Sequence, residues 1–320
     1  MLHHFRLRAA NRPIAMLCLG TSLMLGCESK QPEKPSAPVK KIPTVYTTFY
    51  PTTYFAKRIG GNRIEVVCPC PEDADPAQWM PDEKTIKAYQ QADLIVINGA
   101  SFEKWVEKVT LPESRLVNTA KPLQKEFIIL HDIVTHAHGP EGEHSHEGVD
   151  GHTWLDPINA KIQATEIMNA LIRICGDDKE TFQRGFAELA KDLDALDARY
   201  RKVSKTMKGR HLMSSHPAYN YLARRYGWRQ EYYHLDPEVM PDEQTLRRMR
   251  ESARAHSTRF MLWEAQPAAM VADKIGELGL RHLLFLPCEV MGADEIESGR
   301  DYLSMMNENL DRLEKALTKE

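Results

Sequence analysis

A histidine-rich segment, residues 131–152, carries the strongest chemical signal in the chain. Six of the 13 histidines lie in it, separated mainly by acidic residues and glycines. Neutral imidazole is the commonest protein ligand for borderline transition metals, so a His-rich, Gly-containing loop indicates metal handling. The alternative is a solvated loop that is rich in histidine by chance, and so dense a cluster argues against it. The six are His131, His136, His138, His144, His146 and His152.

Side chains that can bind metals also follow several of the predicted strands. In an α/β fold, ligands bind beyond the carboxyl ends of the strands. If two sheets face each other, the side chains at these ends converge on one cleft. We therefore expect a divalent-metal site there, built on His152 and His216, with Glu264 either as a ligand or as an outer group that orients an imidazole. Possible additional ligands are Asp75 and Glu289.

The histidines in the middle of the His-rich segment are expected to act apart from that site. The glycines and acidic residues around them predict a flexible loop rather than a fixed element. Our hypothesis is that this auxiliary loop captures metal weakly and passes it on, or senses its abundance. The auxiliary loop histidines are His136, His138, His144 and His146.

The elements that must position these residues alternate between strands and helices. This alternation predicts βαβ units and mostly parallel sheets. Apolar residues recur every three or four positions over residues 179–207, which predicts one helix of about 40 Å at ~1.5 Å per residue. We therefore predict an α/β fold with two lobes of mostly parallel sheet, joined by one long rigid helix, and a metal site in the cleft between the lobes. The predicted strands are 44–48, 63–68, 94–98, 115–119, 211–214, 231–234, 259–264 and 283–287.

The N-terminus predicts export. A cationic start is followed by an apolar run at residues 13–26, which is too short to span a bilayer and fits a secretory signal. The run ends at Gly26 and Cys27, as in the lipobox of bacterial lipoproteins, so we predict lipidation of Cys27; ordinary signal cleavage is the alternative. The resulting divisions are 1–27 as lipoprotein-type signal peptide, 28–42 as flexible tether, 43–178 as first lobe with the His-rich loop 131–152, 179–208 as linking helix, and 209–320 as second lobe.

The charge of the chain bears on one class of binding partner. The net charge of −3, without a long basic block, does not indicate nucleic acid binding.

The predicted compartment bears on the oxidation state of the cysteines. Outside the cytoplasm, either in the periplasm or at the cell surface, cysteines beyond the leader are predicted to form disulfides rather than to bind metal. Four cysteines allow three pairings, among which the sequence does not choose. They are Cys68, Cys70, Cys175 and Cys288.

Two motifs resemble a known family. Residues 152–157 (HTWLDP) match an H-x-W-L-D-P motif, and residues 215–219 (SHPAY) match a second-lobe histidine motif. Both are typical of the metal-binding receptors of bacterial ABC importers for zinc and manganese, and the resemblance covers about residues 43–317. It implies two lobes on a long helix that hold one divalent metal between them.

The chain departs from that family's pattern at two ligand positions. The first-lobe loop usually carries a histidine where this chain has Ala77, and the last ligand is usually an aspartate before a proline, where this chain has Leu286. His152 and His216 are thus the only usual ligands retained. Two imidazoles alone make a weak site, because zinc normally takes three or four protein ligands.

We predict an exported, lipid-anchored, monomeric receptor that captures a divalent metal and delivers it to an ABC importer permease, without enzymatic activity. Zinc is favoured over manganese because the visible ligands are rich in nitrogen. One alternative is an exported zinc hydrolase, which needs an open coordination position and a general base such as Glu264. Another is a family member with an altered site that binds a different ligand, such as a chelated metal.

Overall fold

The computed structural model describes residues 41–130, 135–137, 143–145 and 148–318. Two four-stranded sheets form its framework, and every strand in them runs parallel to its neighbours. We call the part of the chain around each sheet the first and the second lobe. The strands of the two sheets are β1 (Thr44–Thr47), β2 (Glu65–Val67), β3 (Leu94–Ile97), β4 (Leu116–Asn118), β9 (His211–Ser214), β10 (Arg229–Tyr232), β11 (Phe260–Trp263) and β12 (Arg281–Leu284).

The two sheets have the same topology. Their strand orders are β2-β1-β3-β4 and β10-β9-β11-β12, so the first strand of each lobe lies second in its sheet. In each lobe the third strand is apolar and buried at all four positions, as expected for a strand covered on both faces. This shared order brings the carboxyl ends of the four strands of each lobe to one edge.

Shorter strands form two antiparallel pairs around the His-rich segment. β5 (Ile129–Leu130) pairs with β8 (Gly148–Val149), and β6 (Thr135–Ala137) pairs with β7 (Glu143–Ser145). The chain therefore returns through a paired strand just before His152.

The helices cover the sheets, and one of them links the lobes. The 29-residue helix α4 (Lys179–Met207) packs against two helices of the first lobe, α1 (Tyr50–Gly60) and α3 (Pro157–Ile174). It also packs against α9 (Tyr302–Thr318) at the C-terminal end of the chain. One apolar cluster runs from Val45 in β1 through Leu193 and Tyr200 in α4 to Leu317. The helices are α1 (Tyr50–Gly60), α2 (Glu83–Gln91), α3 (Pro157–Ile174), α4 (Lys179–Met207), α5 (Asn220–Tyr226), α6 (Glu243–His256), α7 (Ala269–Gly276), α8 (Ala293–Glu297) and α9 (Tyr302–Thr318).

The predicted fold class, an α/β fold with two lobes of parallel sheet and one long helix, is confirmed. Some local predictions are wrong. β10 and β12 begin and end two or three residues earlier than predicted, so His234 and Pro287 lie beyond their strands. The connection from β3 to β4 contains a 3-10 helix, Lys104–Lys108.

The predicted disulfides among the four cysteines are also wrong. Among the described residues, no two of Cys68, Cys70, Cys175 and Cys288 are bonded to each other. Their local settings differ: Cys175 is buried at the C-terminal end of α3, Cys288 is buried after β12, and the other two are partly exposed in the loop after β2.

Candidate metal centre

His152 is held by a buried carboxylate two residues before it. The Asp150 side chain accepts a hydrogen bond from the backbone N–H of His152 at 3.0 Å and lies 2.8 Å from the ring Nδ1. Asn220 Nδ2 donates to the other carboxylate oxygen of Asp150 at 3.0 Å. A carboxylate on one ring nitrogen fixes the ring and leaves the other nitrogen as the ligand atom, as in metal sites that use a carboxylate–histidine pair. Nε2 of His152 is therefore the atom presented to the cleft.

The Nε2 atom of His152 meets the second lobe. It lies 3.3 Å from Oε1 of Glu289, which follows β12. Two hydrogen bonds hold that segment against the first lobe: Trp154 Nε1 donates to Pro287 O at 2.8 Å, and Tyr50 N donates to Glu289 O at 3.0 Å. The position of the Glu289 carboxylate is thus set by contacts with the first lobe.

Each strand of the second sheet is followed by one side chain of this region. All four side chains are imidazoles or carboxylates, and they stand at the carboxyl edge of a parallel sheet, where α/β proteins bind ligands. The sequence analysis predicted three of them. They are His216 after β9, His234 after β10, Glu264 after β11 and Glu289 after β12.

The imidazoles lie side by side. The ring centroids of His152 and His216 are 6.1 Å apart, as are those of His216 and His234. Nδ1 of His216 lies 3.6 Å from Oε1 of Glu264. His216 is only 6% exposed, so its ring is shielded from bulk water.

Asp75 reaches the same region from the loop after β2. Its carboxylate accepts a hydrogen bond from Ala77 N at 2.8 Å, and its charge interacts with those of Glu289 and His152. Ala77 packs against the main apolar core, so the loop position at which the family usually has histidine is filled by a methyl group. Asp75 is the donor that this loop supplies instead.

The electrostatics of the cluster favour a bound cation. Burial raises the pKa of Glu264 to about 8 and that of Asp75 to about 6, and in both cases the Glu289 charge adds to the shift. Burial disfavours a charge on His152, but Asp150 and Glu289 outweigh it and raise its pKa to about 10. These carboxylates raise one another's pKa because their negative charges repel, and they hold a proton on the His152 imidazole. A divalent ion that replaces this proton would reduce the repulsion between the carboxylates.

The side-chain types in this region suit a borderline metal, but the side chains are not arranged as a set of metal ligands. Within the described residues, no group of three or more His, Cys, Asp or Glu side chains is arranged to hold a metal ion. His152 instead contacts Glu289, and His216 approaches Glu264. Imidazole nitrogens with one or two carboxylates are the usual ligands of zinc.

Asp150 and His234 were not predicted from the sequence. Asp150 could have been identified, because an Asp side chain commonly accepts a hydrogen bond from the backbone N–H two residues further on. His234 was placed inside a predicted strand, whereas it lies beyond the end of β10.

Leu286 is the second position at which the chain departs from the family's ligand pattern. Its backbone N–H and carbonyl exchange two hydrogen bonds with the Asn309 side chain, at 2.9 and 2.7 Å, and these bonds connect it to α9.

The other predicted metal-handling residues are only partly placed. In the His-rich segment, His136 lies opposite His144 in the β6–β7 pair. His131, His138 and His146 lie outside the described residues, as does Cys27. The auxiliary loop stays a prediction.

A family model and known proteins match nearly the whole folded body. The family model described as "ZnuA: Zinc-uptake complex component A periplasmic" matches residues 45–316. The high-affinity zinc uptake system protein ZnuA of Bacillus subtilis is 30% identical over 289 residues, which cover 85% of this chain and 87% of that protein. The zinc-binding lipoprotein AdcA of Streptococcus pneumoniae serotype 4 is 29% identical over 283 residues, and the matched part spans 86% of this chain but only 56% of AdcA.

Solved structures share the fold. The metal-dependent lipoprotein YcdH from Bacillus subtilis superposes with a TM-score of 0.73 at 27% identity, over 85% of this chain and 98% of that one. The Zn(II)-bound ZnuA-like domain of Streptococcus pneumoniae AdcA also gives 0.73, at 24% identity, over 86% of this chain and 98% of that one. At that identity the second match supports the fold alone.

Proposed function

Since the chain belongs to the ZnuA family of periplasmic zinc-uptake components, we propose that it captures zinc outside the cytoplasm and delivers it to an ABC importer. The observation that carries the proposal is the meeting of His152 from the first lobe with His216 and Glu289 from the second. Family membership confirms the predicted class, a substrate-binding receptor rather than an enzyme. The hydrolase alternative is therefore not favoured.

Zinc suits this donor set better than manganese does. Imidazole is a ligand for zinc, copper and nickel, whereas manganese prefers sites made of carboxylate and carbonyl oxygens. Three imidazoles lie within one chain of ring contacts, from His152 through His216 to His234. We propose His152, His216 and Glu289 as ligands. Glu264 and Asp75 would complete the coordination or orient the ligands.

We propose that capture works by exchange of a proton for a metal ion across the cleft. Asp150 holds the His152 ring with Nε2 forward, and Glu289 moves from that nitrogen to the ion. Glu264 does the same beside His216. Because donors come from both lobes, the bound ion joins the lobes. The packing of α4 against α1, α3 and α9 favours small local shifts over wide hinge closure.

Membership in a periplasmic zinc-uptake family places the protein outside the cytoplasm as part of an uptake complex. We propose further that residues 1–27 are a signal peptide, that Cys27 carries a lipid anchor, and that residues 28–42 are the tether. The predicted boundaries of the lobes, 43–178 and 209–320, with the linking helix at 179–208, stay proposals, as does the monomeric state. In the described part of the chain, no helix has the length and apolar character needed to cross a bilayer.

A metal titration tests the site assignment. The double variant His152→Ala, His216→Ala, with residues 136–146 deleted, is compared with the unaltered protein by competition against a fluorescent zinc chelator. We expect one tightly bound zinc per unaltered chain, verified by elemental analysis, and loss of tight binding in the variant. The variant His282→Ala, which removes an exposed histidine from β12, is the control. Tight binding in the double variant would disprove the assignment.

A further inference from the structure

The short helix α5 of the second lobe contacts the first lobe on both sides of His152. Tyr221 is fully buried at the start of the helix, and Gly227 ends it in the left-handed conformation that is common at helix C-termini. The helix packs against the 3-10 turn Thr153–Leu155, which directly follows His152. A helix of one lobe is thus in place to hold a ligand segment of the other.

On the side before His152, α5 binds the base of the β5–β8 strand pair. Ile128 directly precedes β5 and Asp150 directly follows β8, and Asp150 N donates to Ile128 O at 2.8 Å. The Tyr221 hydroxyl joins the same two residues, because it donates to Asp150 O at 2.9 Å and accepts from Ile128 N at 3.3 Å. Asn220 Nδ2 donates to the Asp150 carboxylate at 3.0 Å. The backbone that leads into His152 is therefore bonded to the second lobe.

On the side after His152, α5 binds the start of α3. Arg225 Nε donates to Asp156 Oδ2 at 2.7 Å, and the same guanidinium donates to Asn159 Oδ1 at 3.3 Å. The other oxygen of Asp156 caps α3 by accepting from Ile158 N at 2.9 Å. Only 2% of the Asp156 side chain is exposed, so solvent screens this ion pair less than it screens surface pairs. The segment that carries His152 is thus held at both of its ends.

A role limited to holding the lobes together would not explain the placement of these bonds. Tyr226 of the same helix makes an ordinary packing bond, since its hydroxyl donates to Asp197 of α4 at 3.0 Å. The bonds of Tyr221 and Arg225 instead go to the two flanks of a proposed ligand. The helix also begins four residues after His216, which is the other proposed imidazole ligand. One helix therefore connects the two imidazoles whose ring centroids lie 6.1 Å apart.

We propose that α5 is a positioning element of the zinc site. Asn220, Tyr221 and Arg225 act on zinc binding through Asp150 and the backbone around His152, without touching the ion. Because α5 continues from His216, it fixes the separation of the two imidazoles across the cleft. Groups that orient a metal ligand without binding the metal change its affinity by about 10- to 100-fold. This role rests on the proposed zinc function and adds to it residues that no ligand pattern identifies.

The first test removes one hydroxyl group from α5. Tyr221→Phe removes the group that joins Ile128 to Asp150, and the control Tyr226→Phe removes a hydroxyl group from the same helix that bonds to α4. Zinc affinity is measured by chelator competition. Hydrogen exchange in the metal-free protein, measured by mass spectrometry over residues 148–156, reports whether the segment is held.

The second test removes one guanidinium group. Arg225→Gln removes the ion pair with Asp156, and the control Arg58→Gln removes the ion pair with Asp192 of α4. The controls are matched in exposure, since 28% of the Arg225 side chain and 29% of the Arg58 side chain are exposed. Exchange over the rest of the chain verifies that each variant is folded.

We expect Tyr221→Phe and Arg225→Gln each to weaken zinc binding by about tenfold, and each control by less than about twofold. Residues 148–156 should exchange about tenfold faster in Tyr221→Phe than in Tyr226→Phe, because opening of this segment becomes easier. Absence of tight zinc binding in the unaltered protein would refute the proposed function itself. Equal zinc affinities in each variant and its control, with tight binding in the unaltered protein, would overturn the role of α5 alone. Unaltered exchange in Tyr221→Phe would also overturn it.

Discussion

The loops after the edge strands of the two lobes have nearly the same sequence but different roles. Residues 75–85 read DPAQWMPDEKT and residues 236–245 read DPEVMPDEQT. In each, the first aspartate accepts from the N–H two residues on, at 2.8 and 2.7 Å, and a second aspartate caps the next helix. The second-lobe loop is preceded by His234, whereas Cys68 and Cys70 precede the first-lobe loop and no histidine lies within it. Loops of equal architecture thus carry different donors.

This difference shows how the centre is divided between the lobes. The second lobe supplies one side chain from the end of each strand, and its sheet alone therefore arranges four donors. The first lobe supplies Asp75 from its edge loop and His152 from a segment without a counterpart in the second lobe. We infer that the first lobe depends on Asp150, which we call the clamp, to hold the ring of His152 in place.

The largest expected effect is the loss of one ligand imidazole from either lobe. His152→Ala and His216→Ala should each weaken zinc binding by about a hundredfold or more, since even outer-shell changes cost 10- to 100-fold. His152→Ala should be the worse of the two, because His234 stands beside His216, whereas no described ring contact joins His152 to another imidazole of the first lobe. Chelator competition measures both affinities. A smaller loss for His152→Ala would contradict this division between the lobes.

The next effect concerns the clamp. Asp150→Asn keeps the shape of the side chain but removes the charge that orients His152, and it should weaken zinc binding by about 10- to 100-fold. It should also lower the pKa of His152 in the metal-free protein, which NMR titration of the ring would detect. The matched control is Asp82→Asn, which makes the same substitution at an exposed aspartate that caps α2. Unaltered zinc affinity in Asp150→Asn would remove the clamp from the mechanism.

Proton release should show how both lobes respond to the metal. In the metal-free protein His152 has a pKa of about 10 and Glu264 one of about 8, so both hold protons at pH 7. Zinc must displace these protons, and its apparent affinity should therefore fall as the pH falls, by about tenfold per pH unit for each proton released. Calorimetry in buffers of different ionisation enthalpy counts the protons. An affinity that does not change between pH 8 and 6 would contradict the exchange.

The smallest effect concerns the matched helix caps. Asp82 accepts from Thr85 N at 2.7 Å, and Asp242 accepts from Thr245 N at 2.6 Å. Replacing either aspartate by alanine should slightly lower the free energy of unfolding, because the helix loses its N-terminal cap, with zinc affinity nearly unchanged. Urea denaturation measures the change. A clear difference between the two values would show that the loops are alike in sequence but not in energetics.

Much of this centre follows from rules that act over a few residues. Apolar strands, turn residues and the period of α4 locate the sheets and the linking helix, and side chains at strand ends then become candidates. His152, His216, Glu264, Asp75 and Glu289 were predicted as candidate site residues in this way, and their assignment as ligands stays a proposal. The residues at which a strand begins and ends are harder to predict, because the pattern of a short apolar run still fits after a shift of two residues. β10 is shifted in this way, and His234 was therefore not recognised as a residue beyond its end.

Other features depend on tertiary contacts that the sequence does not express. The contact of Glu289 with His152 arises because Trp154 and Tyr50 hold the segment after β12 against the first lobe. Disulfides were predicted from the compartment alone, whereas pairing requires two thiols to approach in a specific geometry.

The apolar cluster that continues through α4 has a consequence for unfolding. A domain boundary normally lies where few contacts cross, yet here one core includes β1, α4 and α9. Because the two lobes share this core, unfolding of either lobe would expose apolar side chains of the other. The chain should therefore denature in a single cooperative transition, and an ion bound at the cleft should protect distant peptide bonds, even in α9, from proteases.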